Sequence, residues 1–238
     1  MAGTRRRLSA LFAAVLLVSY APFLMAEEKG KGPTQQGMFI KYKPPLMGKP
    51  GGRVGGGTRG TGSADLLLAA IVPDHAGMTA KPQPTLCWFL SRPTNTRIEI
   101  TVDDGTSVKP VLEQKIESPA GDAVNCLNLS RFGISLRPGT EYQWFVSIVP
   151  DAEQRSKDIV SGGGIIFAEP GKPLADKLSA AKGVDIPRVY AEGGFWYDAF
   201  ASLSELIRSN PENKEYQALR LDLLEQAGLS EVVRRYRK

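Results

Sequence analysis

Leu136-Arg137-Pro138-Gly139-Thr140-Glu141-Tyr142-Gln143-Trp144 is the stretch on which the fold turns. Pro138 presets a turn and Gly139 tolerates positive φ. Tyr142 then opens the run Tyr-Gln-Trp-Phe-Val-Ser-Ile-Val, which Pro150-Asp151 stops. A turn followed by a run rich in aromatic and β-branched side chains predicts a strand. Similar short runs flank it at residues 66–72, 85–90, 97–102, 111–116, 123–129 and 159–168. Turn residues separate them: Pro73-Asp74, Arg92-Pro93 and Asp103-Asp104-Gly105. The last run is interrupted by Gly162-Gly163-Gly164, read as a bulge or an edge-strand break. Seven short strands without βαβ alternation predict an antiparallel β-sandwich over residues 64–169.

The quoted stretch resembles the entry to the sixth strand of fibronectin type III domains. There a Leu-x-Pro-Gly turn precedes a tyrosine whose hydroxyl bonds back across the corner. The resemblance implies that Tyr142 is such a corner tyrosine and that Trp88 is the core tryptophan of the second strand. If Leu86, Trp88 and Leu90 face the core, Cys87 faces out, because strand side chains alternate. Cys126 faces out as well if Leu127 and Leu129 face in. In that topology their strands are neighbours, so a disulfide is open to them if their Cα atoms lie within about 7 Å. The other reading is two separate buried thiols.

Upstream of the strands the chain changes character. Arg5, Arg6 and Arg7 precede an uncharged, mostly apolar stretch at residues 8–24, and Leu24-Met25-Ala26 ends it. That order predicts a cleaved secretory signal at residues 1–26, the alternative being an uncleaved anchor. Residues 27–63 hold seven Lys or Arg and two Glu, with eight glycines between Gly48 and Gly62. They predict a flexible Gly/Lys-rich leader. The net charge of +5 belongs to these two segments, because residues 64–238 hold 20 basic and 23 acidic side chains. The usual electrostatic case for nucleic-acid binding therefore fails. No later stretch is long and apolar enough to span a bilayer.

After Pro170 the apolar period becomes helical. Residues 174–181 form a short candidate. Residues 194–207 place Trp196, Ala199, Phe200, Leu203, Leu206 and Ile207 on one face. Asn210-Pro211 reads as the cap and first turn of another helix, ended by Gly228. Ser230 is expected to cap a last turn through Val232, Val233 and Tyr236. The spacing of Ala199, Leu203, Pro211, Gly228 and Val233 resembles one tetratricopeptide unit, though Leu206 stands where a small residue belongs. The plainer reading is a helical hairpin over 170–238, docked on the sandwich through Tyr190, Phe195, Trp196 and Tyr197. Trp88, Tyr142, Trp144 and Trp196 are thus read as structural.

The order of these pieces resembles a bacterial family called domain of unknown function 928. The resemblance rests on Tyr42-Lys43-Pro44-Pro45, Gly56-Gly57-Thr58-Arg59-Gly60, Val72-Pro73-Asp74-His75, Pro84-Thr85-Leu86, Tyr142-Gln143-Trp144, Val149-Pro150-Asp151, Arg155-Ser156-Lys157-Asp158 and Trp196-Tyr197-Asp198-Ala199. It implies an exported protein and lends no catalytic or binding residues.

Chemistry is sparse. His75 is the only imidazole. Beside Asp74 it could act as base or ligand; a solvated turn histidine is the bland alternative. No Gly-x-Ser-x-Gly occurs, and Asp103-Asp104-Gly105 lacks the spaced acids of a calcium loop. Residues 151–158 form a charged loop at one end of the sandwich, making Arg155, Lys157 and Asp158 candidate contacts with a partner. No catalytic residue, cofactor or metal site is predicted. The expectation is an exported protein, periplasmic or extracellular, acting as a non-catalytic binding or assembly module whose partner is another envelope protein. An envelope-polymer hydrolase with an unrecognised carboxylate pair is one alternative, and a structural protein tethered by its leader is another.

Overall fold

A computed structural model of the chain describes residues 39–45, 53–55, 66–116 and 123–237. The predicted signal at 1–26, the start of the leader and part of its glycine run lie outside the described residues. Nine strands are described: β1 (Arg53–Gly55), β2 (Leu68–Ala70), β3 (Gly77–Thr79), β4 (Thr85–Leu90), β5 (Arg97–Asp103), β6 (Leu112–Ile116), β7 (Ala123–Asn128), β8 (Glu141–Val149) and β9 (Ile159–Phe167). Five helices follow: α1 (Lys172–Ala180), α2 (Asp185–Glu192), α3 (Trp196–Ser209), α4 (Lys214–Gln226) and α5 (Ser230–Tyr236).

The strands form two sheets. One runs β1-β9-β8-β5-β6, and the other β2-β4-β7. All pairings are antiparallel except that of β3, which lies parallel to the far half of β9. The chain is thus an antiparallel β-sandwich with a helical C-terminal part. Ile98 faces Ile148, Ile100 faces Val146 and Val102 faces Trp144 across β5 and β8, and all six are buried. Leu86, Trp88 and Leu90 supply buried side chains from β4.

The turn before β8 explains its own sequence. Gly139 has φ +69°, and its N–H donates to Phe167 O at 2.9 Å. The Tyr142 hydroxyl accepts the Arg137 N–H at 3.1 Å, while the ring is buried. This is the tyrosine-corner bond.

Several expectations need correction. The apolar run at 66–72 supplies one three-residue strand, β2, rather than a strand along its whole length. β2 pairs with β4; Pro73, lacking an N–H, then ends the ladder, and the chain crosses to β9 as β3. The triple glycine neither bulges nor ends pairing. β9 runs unbroken with β8 on one side and β1 and β3 on the other, and Gly163 lies directly opposite Trp144.

The leader is not uniformly free either. β1 pairs with β9, and Ile40 and Tyr42 are buried. Lys43 N–H donates to Ala191 O at 3.0 Å, and Tyr42 N–H donates to Gln226 Oε1 at 2.9 Å. Main-chain hydrogen bonds hold these residues where glycine entropy alone would release them.

In the tail, α2 stands between the helical stretches expected at 174–181 and 194–207. Asn210 closes α3 rather than opening α4, its N–H donating to Leu206 O. Asn213 caps α4, its Oδ1 accepting from Glu215 N and Tyr216 N at 3.0 and 3.2 Å. Ser230 is the first residue of α5, and its hydroxyl donates to Glu225 at 2.8 Å instead of capping. The apolar faces of α3, α4 and α5 join the same core as the sandwich. No helix among the described residues is long and apolar enough to cross a membrane.

Candidate functional site

His75 stands in the loop between β2 and β3. Its Nδ1 is 3.0 Å from Asp74 Oδ1, and its Nε2 is 2.8 Å from the Tyr42 hydroxyl. The hydrogen bond from His75 holds the Asp74 carboxyl below its ordinary pKa. Burial pushes the Tyr42 phenol well above its usual range, so it stays protonated beside His75 Nε2. The Tyr42 ring stacks with His75 and meets Trp196 edge-on, centroids 5.1 Å apart. Nearby, Arg53 donates to Val72 O at 2.7 Å, to Ala227 O and to Gly228 O. Guanidinium on the carbonyls just past the C-terminus of α4 suits the helix dipole. In this Tyr–His–Asp chain the Tyr42–His75 bond ties two segments 33 residues apart. A phenol held in its neutral form is a poor nucleophile.

The charged loop behaves similarly. Arg155 binds Glu99 at 2.8 Å and Asp158 at 2.7 Å, and the hydrogen bond to Glu99 raises its pKa. Lys157 reaches Asp151 at 3.9 Å. Arg97 lies 3.1 Å from Glu99, although its Nε is not aligned for a hydrogen bond. Glu99 and Asp158, two carboxylates with little exposure, share one cation. The structure does not bring this loop to His75. The loop leads into Ile159, whereas the segment after His75 pairs with Ile165 near the other end of β9. No group of three or more His, Cys, Asp or Glu among the described residues could hold a metal ion.

A third place has the form of a site. A groove of about 700 Å³ opens between the outer face of β7 and helices α3 and α4. Val124, Cys126, Asn128 and Arg131 line one wall; Ser204, Glu205, Arg208 and Arg220 line the other. Cys87 and Cys126 are joined as a disulfide, with Cα atoms 4.1 Å apart. Cys87 is buried and Cys126 exposed. Glu205 and Arg208 are paired, Nε to Oε2 at 3.1 Å. The Arg220 guanidinium sits 4.8 Å over the Tyr236 ring. The arginines of this groove were not singled out in the sequence, because 131, 208 and 220 show no local pattern.

A family model described as Domain of Unknown Function (DUF928) matches residues 54–236. The chain belongs to this family. The match begins inside β1 and ends with α5, so the DUF928 unit takes in both sheets and the helical part together. A search of curated proteins finds no match.

The family-like motifs have visible work in this DUF928 chain. From Trp196-Tyr197-Asp198-Ala199, the Trp196 indole N–H donates to Ile71 O at 2.9 Å. The Tyr197 hydroxyl accepts from Trp144 and donates to Gly164 O. Asp198 Oδ2 accepts the Ala80 N–H at 2.6 Å, and burial raises its pKa. Three consecutive side chains at the start of α3 fasten the tail to both sheets.

Proposed function

We propose that this DUF928 chain is an exported, non-catalytic binding or assembly module of the bacterial cell envelope. One observation carries the reading: the groove between β7 and α3–α4 is lined by three arginines and one glutamate. That set can hold a partner, and it offers no acid–base pair for bond cleavage. The groups that do have acid–base chemistry are engaged in holding segments together: Tyr42 with His75, Glu99 and Asp158 with Arg155, and Asp198 with Ala80. Export is supported by Arg5-Arg6-Arg7, the apolar stretch at 8–24 and Ala26. A disulfide between Cys87 and Cys126 suits an oxidising compartment.

The test is crosslinking in intact cells of the native host, followed by capture of the tagged chain from envelope fractions. The expected result is a chain whose N-terminus is Glu27, recovered with the same partner in independent captures. An N-terminus still at Met1 in the cytoplasmic fraction, or capture of the chain alone in every repeat, sinks the reading.

A further inference from the structure

In its sheet, β7 pairs with β4 and with no other strand among the described residues. Its main-chain groups therefore point alternately toward β4 and away from it. Two bonds fix the phase. Val124 N–H donates away from β4, to the Tyr236 hydroxyl at 3.1 Å. Leu129 N–H, in the opposite phase, returns to Pro84 O at 3.0 Å. Cys126 shares the phase of Val124 by the two-residue repeat, so its N–H and C=O face the open edge. The 4.1 Å between the Cα atoms of Cys87 and Cys126 fits a pair that exchanges no main-chain bonds.

Proteins usually guard such an edge with Lys, Pro or a bulge. The β7 sequence Ala-Val-Asn-Cys-Leu-Asn holds no charge and no proline, and its six residues pair with β4 without a bulge. Beside the edge lies the groove. Glu205 neutralises Arg208. Arg131 is exposed, and neither Arg131 nor Arg220 enters an ion pair among the described residues. Arg220 Nε is buried without an acceptor. Among the described residues the groove thus carries two positive charges without an ion-pair partner, next to the edge-facing main chain of Cys126.

We propose that the open edge of β7 takes an extended acidic peptide segment of a partner protein. Its main chain pairs with Cys126, and its carboxylates meet Arg131 and Arg220. This rests on the binding-module reading and names the chemistry of the partner. Charge selects that occupant over a second copy of this chain, because β7 pairing with β7 would set two arginine groups against each other.

The probe is a fluorescein-labelled octapeptide alternating Val and Glu, titrated by anisotropy against the purified protein. Three controls accompany it: a Val–Lys peptide, a Val–Glu peptide N-methylated at alternate amides, and a salt series. We expect the Val–Glu peptide to bind and the Val–Lys peptide not to. N-methylation in the pairing phase weakens binding about tenfold or more, and added salt weakens it further. Arg131→Glu, at an exposed position, weakens binding about fivefold with an unchanged melting temperature. Arg220→Gln, which keeps a planar polar head, is the second variant should reversal at 131 perturb folding.

Equal binding of the N-methylated or Val–Lys peptide overturns the proposal, as does a concentration-dependent dimer that the Val–Glu peptide fails to displace. A partner captured from the envelope that binds Arg131→Glu/Arg220→Gln as well as the parent overturns this site and leaves the module reading standing. A parent chain that captures no partner at all removes both.

Discussion

The Trp144 indole N–H donates to the Tyr197 hydroxyl at 2.9 Å, and that hydroxyl donates onward to Gly164 O at 2.9 Å. One phenol thereby links β8, β9 and the first turn of α3. All of it is buried, and burial holds the phenol in its neutral, donating form. The relationship explains why the tail and the sandwich share one core: the polar atoms at their junction find partners in each other.

Tyr197→Phe is the direct probe. The substitution keeps the ring and removes the oxygen, leaving a buried indole N–H without an acceptor and a carbonyl without this donor. An orphaned buried group costs about 1–3 kcal/mol, so the variant should lose roughly 2–4 kcal/mol. Urea unfolding followed by tryptophan fluorescence measures it. A loss below about 1 kcal/mol would mean that the bond is not holding the junction.

Asp198 makes a pH prediction with a defined sign. Burial raises its pKa above the ordinary 3.8, so the folded state favours the protonated form. Below pH 3.8 both states are protonated and the group adds no penalty. As pH rises through the folded-state pKa, the buried carboxylate ionises and stability is lost. Asp198→Asn keeps an oxygen for the Ala80 N–H and cannot ionise. The stability of Asp198→Asn relative to the parent should therefore increase from pH 4 to pH 8. Parallel pH profiles for the two proteins would contradict this.

The parts of the fold that showed in the sequence are those that carry their own pattern. β5 and β8 alternate or run apolar between turn residues, and Pro138-Gly139 with Tyr142 announces its corner locally. What stayed hidden is pairing supplied by a distant partner. β1 sits in a glycine-rich stretch, and its strand form comes from the edge of β9. β3 is only three residues long, Gly-Met-Thr, and is held by the far half of β9. α2 is only eight residues long and carries Pro187 in its first turn, which masks its helical pattern. Asn210 and Asn213 both precede a plausible helix start, and only the hydrogen bonds decide between them. Asp74 and His75 were visible as neighbours in sequence, but Tyr42, which completes the chain, lies 33 residues from His75. The groove was less legible still, since its arginines come from the turn after β7, from α3 and from α4.

Gly162→Ala tests why β9 tolerates three glycines. A Cβ at Gly162 would stand 2.3 Å from Trp144 O and 2.5 Å from the Phe145 ring. The backbone oxygen cannot swing aside as a flexible side chain would, so β8 and β9 must separate locally. The expected cost is about 1–3 kcal/mol, read as a lower urea midpoint with an unchanged slope. Gly139→Ala meets no atom within 4 Å, so its cost comes only from positive φ. It should therefore be the milder variant, and a reversed order would refute the steric account.

Reduction of Cys87–Cys126 should destabilise the protein in a way that depends on chain closure rather than on contacts. The two residues are 39 apart in sequence. Cross-linking a loop of that length restricts the unfolded chain by about 3–4 kcal/mol. The folded state should change little, because the cysteines are directly paired positions of β4 and β7 and stay adjacent through the ladder on either side. Cys126 is exposed, so a small thiol reaches the bond without global unfolding. Cys87→Ser/Cys126→Ser should then unfold at a lower urea concentration while keeping a native-like circular dichroism spectrum. The parent protein in excess dithiothreitol should match it. If the double variant retains the oxidised protein's midpoint, the disulfide does not supply the closure assigned to it here.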